Sequence, residues 1–123
     1  MSMVISFPGE LRVRAEYEGL VVDTDQDGSA PAPFDLFLAS LATCAGYYAL
    51  AFMKKRDIDT AGSRVTMEWQ RDPETRLIEN VTIHLDLPQR FPEKYREAVV
   101  RAMDQCTVKR HLDHPPTIET TAG

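Results

Sequence analysis

Apolar and polar positions alternate along three stretches of the chain and switch to helical spacing in two others. Leu11, Val13, Ala15 and Tyr17 alternate with Arg12, Arg14, Glu16 and Glu18, the period of two that marks a half-buried strand. Gly19 permits a turn, and Leu20 to Thr24 reads as the return strand of a hairpin. Further on, Val65, Met67 and Trp69 share one face of a strand over 64–70, and Val81, Ile83, Leu85 and Leu87 oppose Thr82, His84 and Asp86. Asp72-Pro73-Glu74-Thr75 supplies turn chemistry between these two segments, so they are expected to pair antiparallel.

Between the two strand regions lies the stretch that organises the rest. From Leu36 to Met53 there is no charged residue, and apolar or small side chains occupy every angular position, so a single stripe facing a core cannot account for it. Pro33 suits the first helical position and Asp35 the first turn, while Lys54, Lys55 and Arg56 meet the negative end of the dipole. The pattern predicts a helix from about Pro33 to Arg56, buried all round. A run of this length also reaches the minimum for a membrane span; Ser40, Thr43, Gly46, Tyr47, Tyr48 and several alanines temper its hydrophobicity and favour a buried helix of a soluble protein. A chain of 123 residues cannot easily surround such a helix alone, which predicts a partner subunit.

Pro92 opens a second helix, Glu93 to about Gln105, with Tyr95, Ala98, Val99, Ala102 and Met103 on one face. Thr107 to Leu112 has the makings of a further helical turn, Pro115-Pro116 stops it, and Thr117 to Thr120 is expected as a closing strand. The order of strands, long helix, strands, helix and strand predicts an α+β fold in one domain, residues 1–123.

Charge narrows the partners. Fourteen Lys and Arg against nineteen Asp and Glu leave a net charge of −5, which argues against nucleic acid and anionic membrane surfaces. The first ten residues hold neither a basic region nor an apolar core of signal-peptide length, so a cytoplasmic location is expected. No Gly-rich phosphate loop, Ser/His/Asp arrangement or paired-carboxylate motif is present. No cofactor is called for.

The two cysteines, Cys44 and Cys106, carry the candidate chemistry. In a reducing compartment such a pair is an inert core couple, a set of metal ligands or a redox couple, and composition does not choose among these. Cys44 falls mid-helix, beyond much help from the dipole, so a cationic neighbour is expected to activate it. Arg12 and Arg14 on the first hairpin are candidates, although their alternation with Glu16 and Glu18 equally suits a solvated face. Arg110 lies one helical turn after Cys106 and could favour a thiolate there. His111, His114 and Cys106 are spaced too loosely to suggest zinc. Phe37, Tyr47 and Tyr48 are candidates for an apolar pocket near Cys44, with core packing as the plainer reading.

The run Ser29-Ala30-Pro31-Ala32-Pro33-Phe34-Asp35-Leu36-Phe37-Leu38-Ala39-Ser40-Leu41-Ala42-Thr43-Cys44, followed by a basic helix end and by Met103-Asp104-Gln105-Cys106-Thr107-Val108, resembles the OsmC/Ohr family of osmotically inducible and organic hydroperoxide resistance proteins. The likeness covers nearly the whole chain. Its strongest element is Pro-x-Asp-Leu with a cysteine eight residues after the leucine. The resemblance implies an intertwined homodimer in which antiparallel sheets from both subunits wrap two central helices. It also implies reduction of small organic hydroperoxides, with Cys44 peroxidatic and Cys106 resolving through an intramolecular disulfide, and a dithiol reductant such as a dihydrolipoyl group. The better-known branches carry a glutamate where this chain has Phe34. Asp35 does not replace it: nine residues before Cys44, it falls on the opposite side of the helix and about 13 Å away. A non-catalytic binding or redox-sensing role of the same fold is the alternative that Phe34 leaves open.

Overall fold

A computed structural model describes residues 1–123. The chain divides into two compact units, Met1–Ala39 and Ser40–Gly123.

The amino-terminal unit is a three-stranded antiparallel meander of β1 (Val4–Gly9), β2 (Arg12–Tyr17) and β3 (Leu20–Asp25). The predicted hairpin is β2–β3, with Tyr17 opposite Leu20 and Arg14 opposite Asp23. Glu18 and Gly19 both take positive φ, 46° and 83°, the geometry of a tight two-residue turn matched to strand twist. β1 went unread in the sequence because its apolar residues do not alternate cleanly, and Val4, Ile5 and Phe7 are all exposed. After β3 the chain closes a loop on Asp25, whose buried carboxylate accepts from the Ser29 hydroxyl and from the Asp27 amide at 2.9 Å.

Helix α1 (Pro33–Lys55) follows the predicted bounds closely. Asp35 accepts from the backbone N–H of Ala32 at 3.0 Å, so the first-turn carboxylate ties down the residue before the helix. At the other end Asp57 adopts φ 53°, and the amides of Asp57 and Ile58 return to the carbonyls of Lys54 and Met53 at 3.2 and 2.9 Å. This is the Schellman closure, with Ile58 packed on the core.

In the carboxy-terminal unit β4 (Arg64–Arg71) and β5 (Ile78–Asp86) pair antiparallel, Val65 opposite Leu85 and Met67 opposite Ile83. The second predicted helix is one 3-10 turn, Glu93–Tyr95, leading into α2 (Arg96–Met103), and α3 (Thr107–Asp113) follows. The core is Ala45, Ala49, Phe52, Met53, Val99 and Met103, with Val65, Ile83, Leu85 and Leu87 from the strands and their continuation packed against it.

Within its own chain helix α1 buries one stripe, Leu38, Leu41, Ala45, Ala49 and Phe52, while Tyr47 remains 63% and Leu50 40% exposed. One chain of this length has too few elements to enclose both sides of the helix. The closing strand at Thr117 to Thr120 does not form; the segment joins no sheet and Ile118 is exposed. The prolines before it lack ladder donors, and a lone isoleucine gives little apolar area to bury.

Candidate functional site

The two thiols meet where α1 passes the start of α3. Cys44 sits mid-helix on α1, half-buried, and Cys106 is buried at 2% exposure. Cys106 is there because α2 ends at Met103 and the chain must turn before helix resumes. Its backbone lies outside the helical region (φ −45°, ψ 125°), and it is the N-cap of α3.

A helix start leaves amide donors without intrahelical partners, and here sulfur takes them. The Cys106 sulfur accepts from the backbone N–H of Lys109 at 3.5 Å. The sulfur of Cys44 lies close enough to the start of α3 for the amides of Val108 and Thr107 and the Cys106 thiol to favour its anion. A further bond joins the two helices: the Tyr48 hydroxyl lies 3.2 Å from the Thr107 hydroxyl.

This arrangement separates the two thiols electrostatically. Burial pushes Cys44 upward, but the amide of Val108, the Cys106 thiol and the amide of Thr107 stabilise its anion enough to hold it below the ordinary thiol value. Burial raises Cys106; the Lys109 amide works against that, and the neighbouring Cys44 raises it further. Of the two, Cys44 is the one whose anion its surroundings favour and Cys106 the one whose anion they disfavour. Both are free thiols.

The sequence placed activation of Cys44 on a cation, and the named arginines stand as follows. Arg14 forms an ion pair with Asp23 at 2.6 Å across the β2–β3 hairpin, and Arg12 faces Asp25 at 3.9 Å. Arg110 is exposed on α3, its backbone N–H bonded to the carbonyl of Cys106 at 3.0 Å. The groups that lower Cys44 are the amides of Val108 and Thr107 and the Cys106 thiol. The signal was present in the sequence: a cysteine directly before a short helical turn is an N-cap, whose following amides are free.

An apolar cavity of about 460 Å³ opens against Cys106, walled by Leu41, Ala45, Ile83, Val99 and Met103. Tyr47 and Tyr48, expected to line a pocket, do not line this one; Tyr47 is exposed and Tyr48 packs edge-on against it, ring centres 5.5 Å apart. Phe37 pairs with the ring of Phe34 at 5.3 Å in the amino-terminal unit. His111 turns its ring nitrogen to the carbonyl of Thr107 at 2.7 Å, and no three His, Cys, Asp or Glu side chains converge as metal ligands would.

Comparison with known proteins places this geometry. The model of the family described as OsmC-like protein matches residues 26–121. Among solved structures, a protein of Aquifex aeolicus VF5 is 15% identical, covering 93% of this chain and 87% of its own, with a TM-score of 0.76. The OsmC like protein of Mycoplasma pneumoniae is 13% identical over 93% and 87%, with a TM-score of 0.72. The organic hydroperoxide resistance protein OhrB of Bacillus subtilis is 16% identical over 94% and 93%, with a TM-score of 0.56. No curated protein matches. At these identities the structural likenesses speak for the fold, which is α+β with antiparallel sheets. A family model that spans nearly everything after the first hairpin speaks for descent: the chain belongs to the OsmC-like protein family.

Proposed function

We propose that this protein reduces organic hydroperoxides, with Cys44 as the attacking thiolate and Cys106 as the resolving thiol. One observation carries the reading: two sulfurs distant in sequence share the start of α3, where the free amides and the Cys106 thiol favour the anion of Cys44. The Cys44 thiolate attacks the O–O bond, taking one oxygen as sulfenic acid; the other leaves as alkoxide and is protonated to the alcohol. The Cys106 sulfur then displaces hydroxide from the sulfenic sulfur, which leaves as water once protonated, and a Cys44–Cys106 disulfide forms. A dithiol, for which a dihydrolipoyl group is the suggested source, restores both thiols and is itself oxidised to a disulfide. Resolution by a neighbouring thiol also protects Cys44 from over-oxidation.

The exposed faces of α1 and of the β1–β3 sheet, Tyr47, Leu50, Val4, Ile5 and Val21 among them, support a homodimer in which each chain covers its partner's apolar surface. The acidic net charge supports a protein that engages neither nucleic acid nor an anionic membrane surface.

Consumption of cumene hydroperoxide in the presence of a dithiol tests the proposal. Activity lost in Cys44→Ser, with a Cys44–Cys106 disulfide seen by mass spectrometry in the native chain, is the expected result. Full activity in that variant would refute it. A second reading, binding of a small apolar molecule with the thiols as redox sensor, is favoured by Phe34 at the position of the expected glutamate and by the cavity beside Cys106. It predicts a disulfide without turnover.

A further inference from the structure

We infer that the oxidised pair is reopened from the Cys106 side: an aliphatic thiolate enters the apolar cavity and attacks the Cys106 sulfur, expelling Cys44. The inference rests on the reading that the two cysteines form a disulfide, and adds which sulfur is attacked and by what route.

Geometry supplies the first argument. A thiolate attacks a disulfide in line with the S–S bond, because the empty antibonding orbital points there, so it must reach one sulfur from the side away from its mate. The cavity wall includes Cys106 and does not include Cys44. A nucleophile in that space meets Cys106 and not Cys44.

The departing sulfur supplies the second. Attack at Cys106 releases Cys44, whose anion is received by the amides of Thr107 and Val108. Attack at Cys44, the more exposed of the two, would release Cys106 as an anion that burial and the neighbouring Cys44 disfavour more than the amides of Lys109 and Val108 favour it. The better-stabilised thiolate leaves faster, which favours the first route despite the greater exposure of Cys44.

The step balances. The incoming thiolate forms a mixed disulfide with Cys106 as the Cys106–Cys44 bond breaks and its electron pair passes to Cys44. When the reductant is a dithiol, its second sulfur displaces Cys106, which takes up a proton, and the reductant leaves as a cyclic disulfide.

The cavity also selects the chemistry of its occupant. Its volume of about 460 Å³ is that of a small-molecule site, and its walls are apolar. The charged groups around it are already paired: Lys109 with Asp104 at 2.9 Å, Arg96 with Glu93 at 2.8 Å, and His84 facing Asp86 at 3.4 Å. An unbranched alkyl thiol fits this lining; a charged peptide thiol finds no free counter-ion there.

Diamide forms the disulfide without peroxide, so the test proceeds whether or not the protein turns peroxides over. The oxidised protein is mixed with 8-mercaptooctanoate or with 2-mercaptoethanol, quenched with excess N-ethylmaleimide, and its peptides mapped by mass spectrometry. The expected result is the thiol adduct on Cys106 and maleimide on Cys44, with the longer thiol reacting faster by up to about fourfold per methylene that enters the cavity. An adduct on Cys44, an even division, equal rates for the two thiols, or failure of diamide to link the pair would each overturn the inference. Loss of peroxidase activity alone would not.

Discussion

The Tyr48 hydroxyl, one helical turn beyond Cys44, lies 3.2 Å from the hydroxyl of Thr107, the first residue of α3. This contact clasps α1 to α3 at the point where the amides of Thr107 and Val108 face the Cys44 sulfur. Tyr48→Phe removes the clasp while keeping the ring. The expected outcome is a Cys44 that alkylates only at higher pH than in the native chain, with a stability loss of about 0.5–1.5 kcal/mol for one hydrogen bond. Iodoacetamide modification followed across pH checks it, and Thr107→Ser on its own, which keeps a hydroxyl opposite Tyr48, should retain the native profile.

The two thiols predict opposite responses of stability to pH. Cys44 is held below its unfolded value of about 9.0, so its contribution is present above that value and is lost as pH falls through the folded one. Cys106 is raised above about 9.0, so its contribution is present below that value and is lost as pH rises through the folded one. Urea titrations of Cys106→Ser should therefore show stability rising toward pH 9, and those of Cys44→Ser stability falling above it. Identical profiles would contradict the assignment of thiolate and thiol.

Met103 is buried where α2 meets the α1 stripe and also walls the cavity. Met103→Ala should cost about 2–5 kcal/mol in urea unfolding, the usual range for truncating a buried methionine. A loss well below 2 kcal/mol would mean that the cavity absorbs the change.

Sedimentation equilibrium should give twice the chain mass of 13.9 kDa, because the exposed side of α1 needs a cover. Leu50→Asp and Val21→Asp place charge on the two exposed apolar faces and should return the single-chain mass. A native protein that sediments as one chain would remove the homodimer.

Much of the fold was legible because its signals are local. Pro33, Asp35 and the Lys54-Lys55 end marked α1, and both hairpins followed from alternation and turn residues. What was not legible depends on burial. Helix α1 reads as buried on every side because its sequence is apolar on every side, yet a sequence does not say which chain provides the cover. The closing strand failed because Thr117 to Thr120 follows two prolines and brings only Ile118 to bury, so it joins neither sheet. At the site, Cys44 and Cys106 were evident as residue types. The amides of Thr107 and Val108 beside Cys44 are legible only once Cys106 is read as the N-cap of α3, because backbone donors mark a sequence only through the helix start that frees them.

Cys106 holds two posts at once, as the partner of Cys44 and as the acceptor that anchors the third amide of α3. A sulfur drawn into a covalent bond with Cys44 is a poorer acceptor, so forming that bond loosens the first turn of α3. Under the proposed chemistry, oxidation of the pair would show in how readily one short helix frays, which hydrogen exchange at Lys109 reads directly.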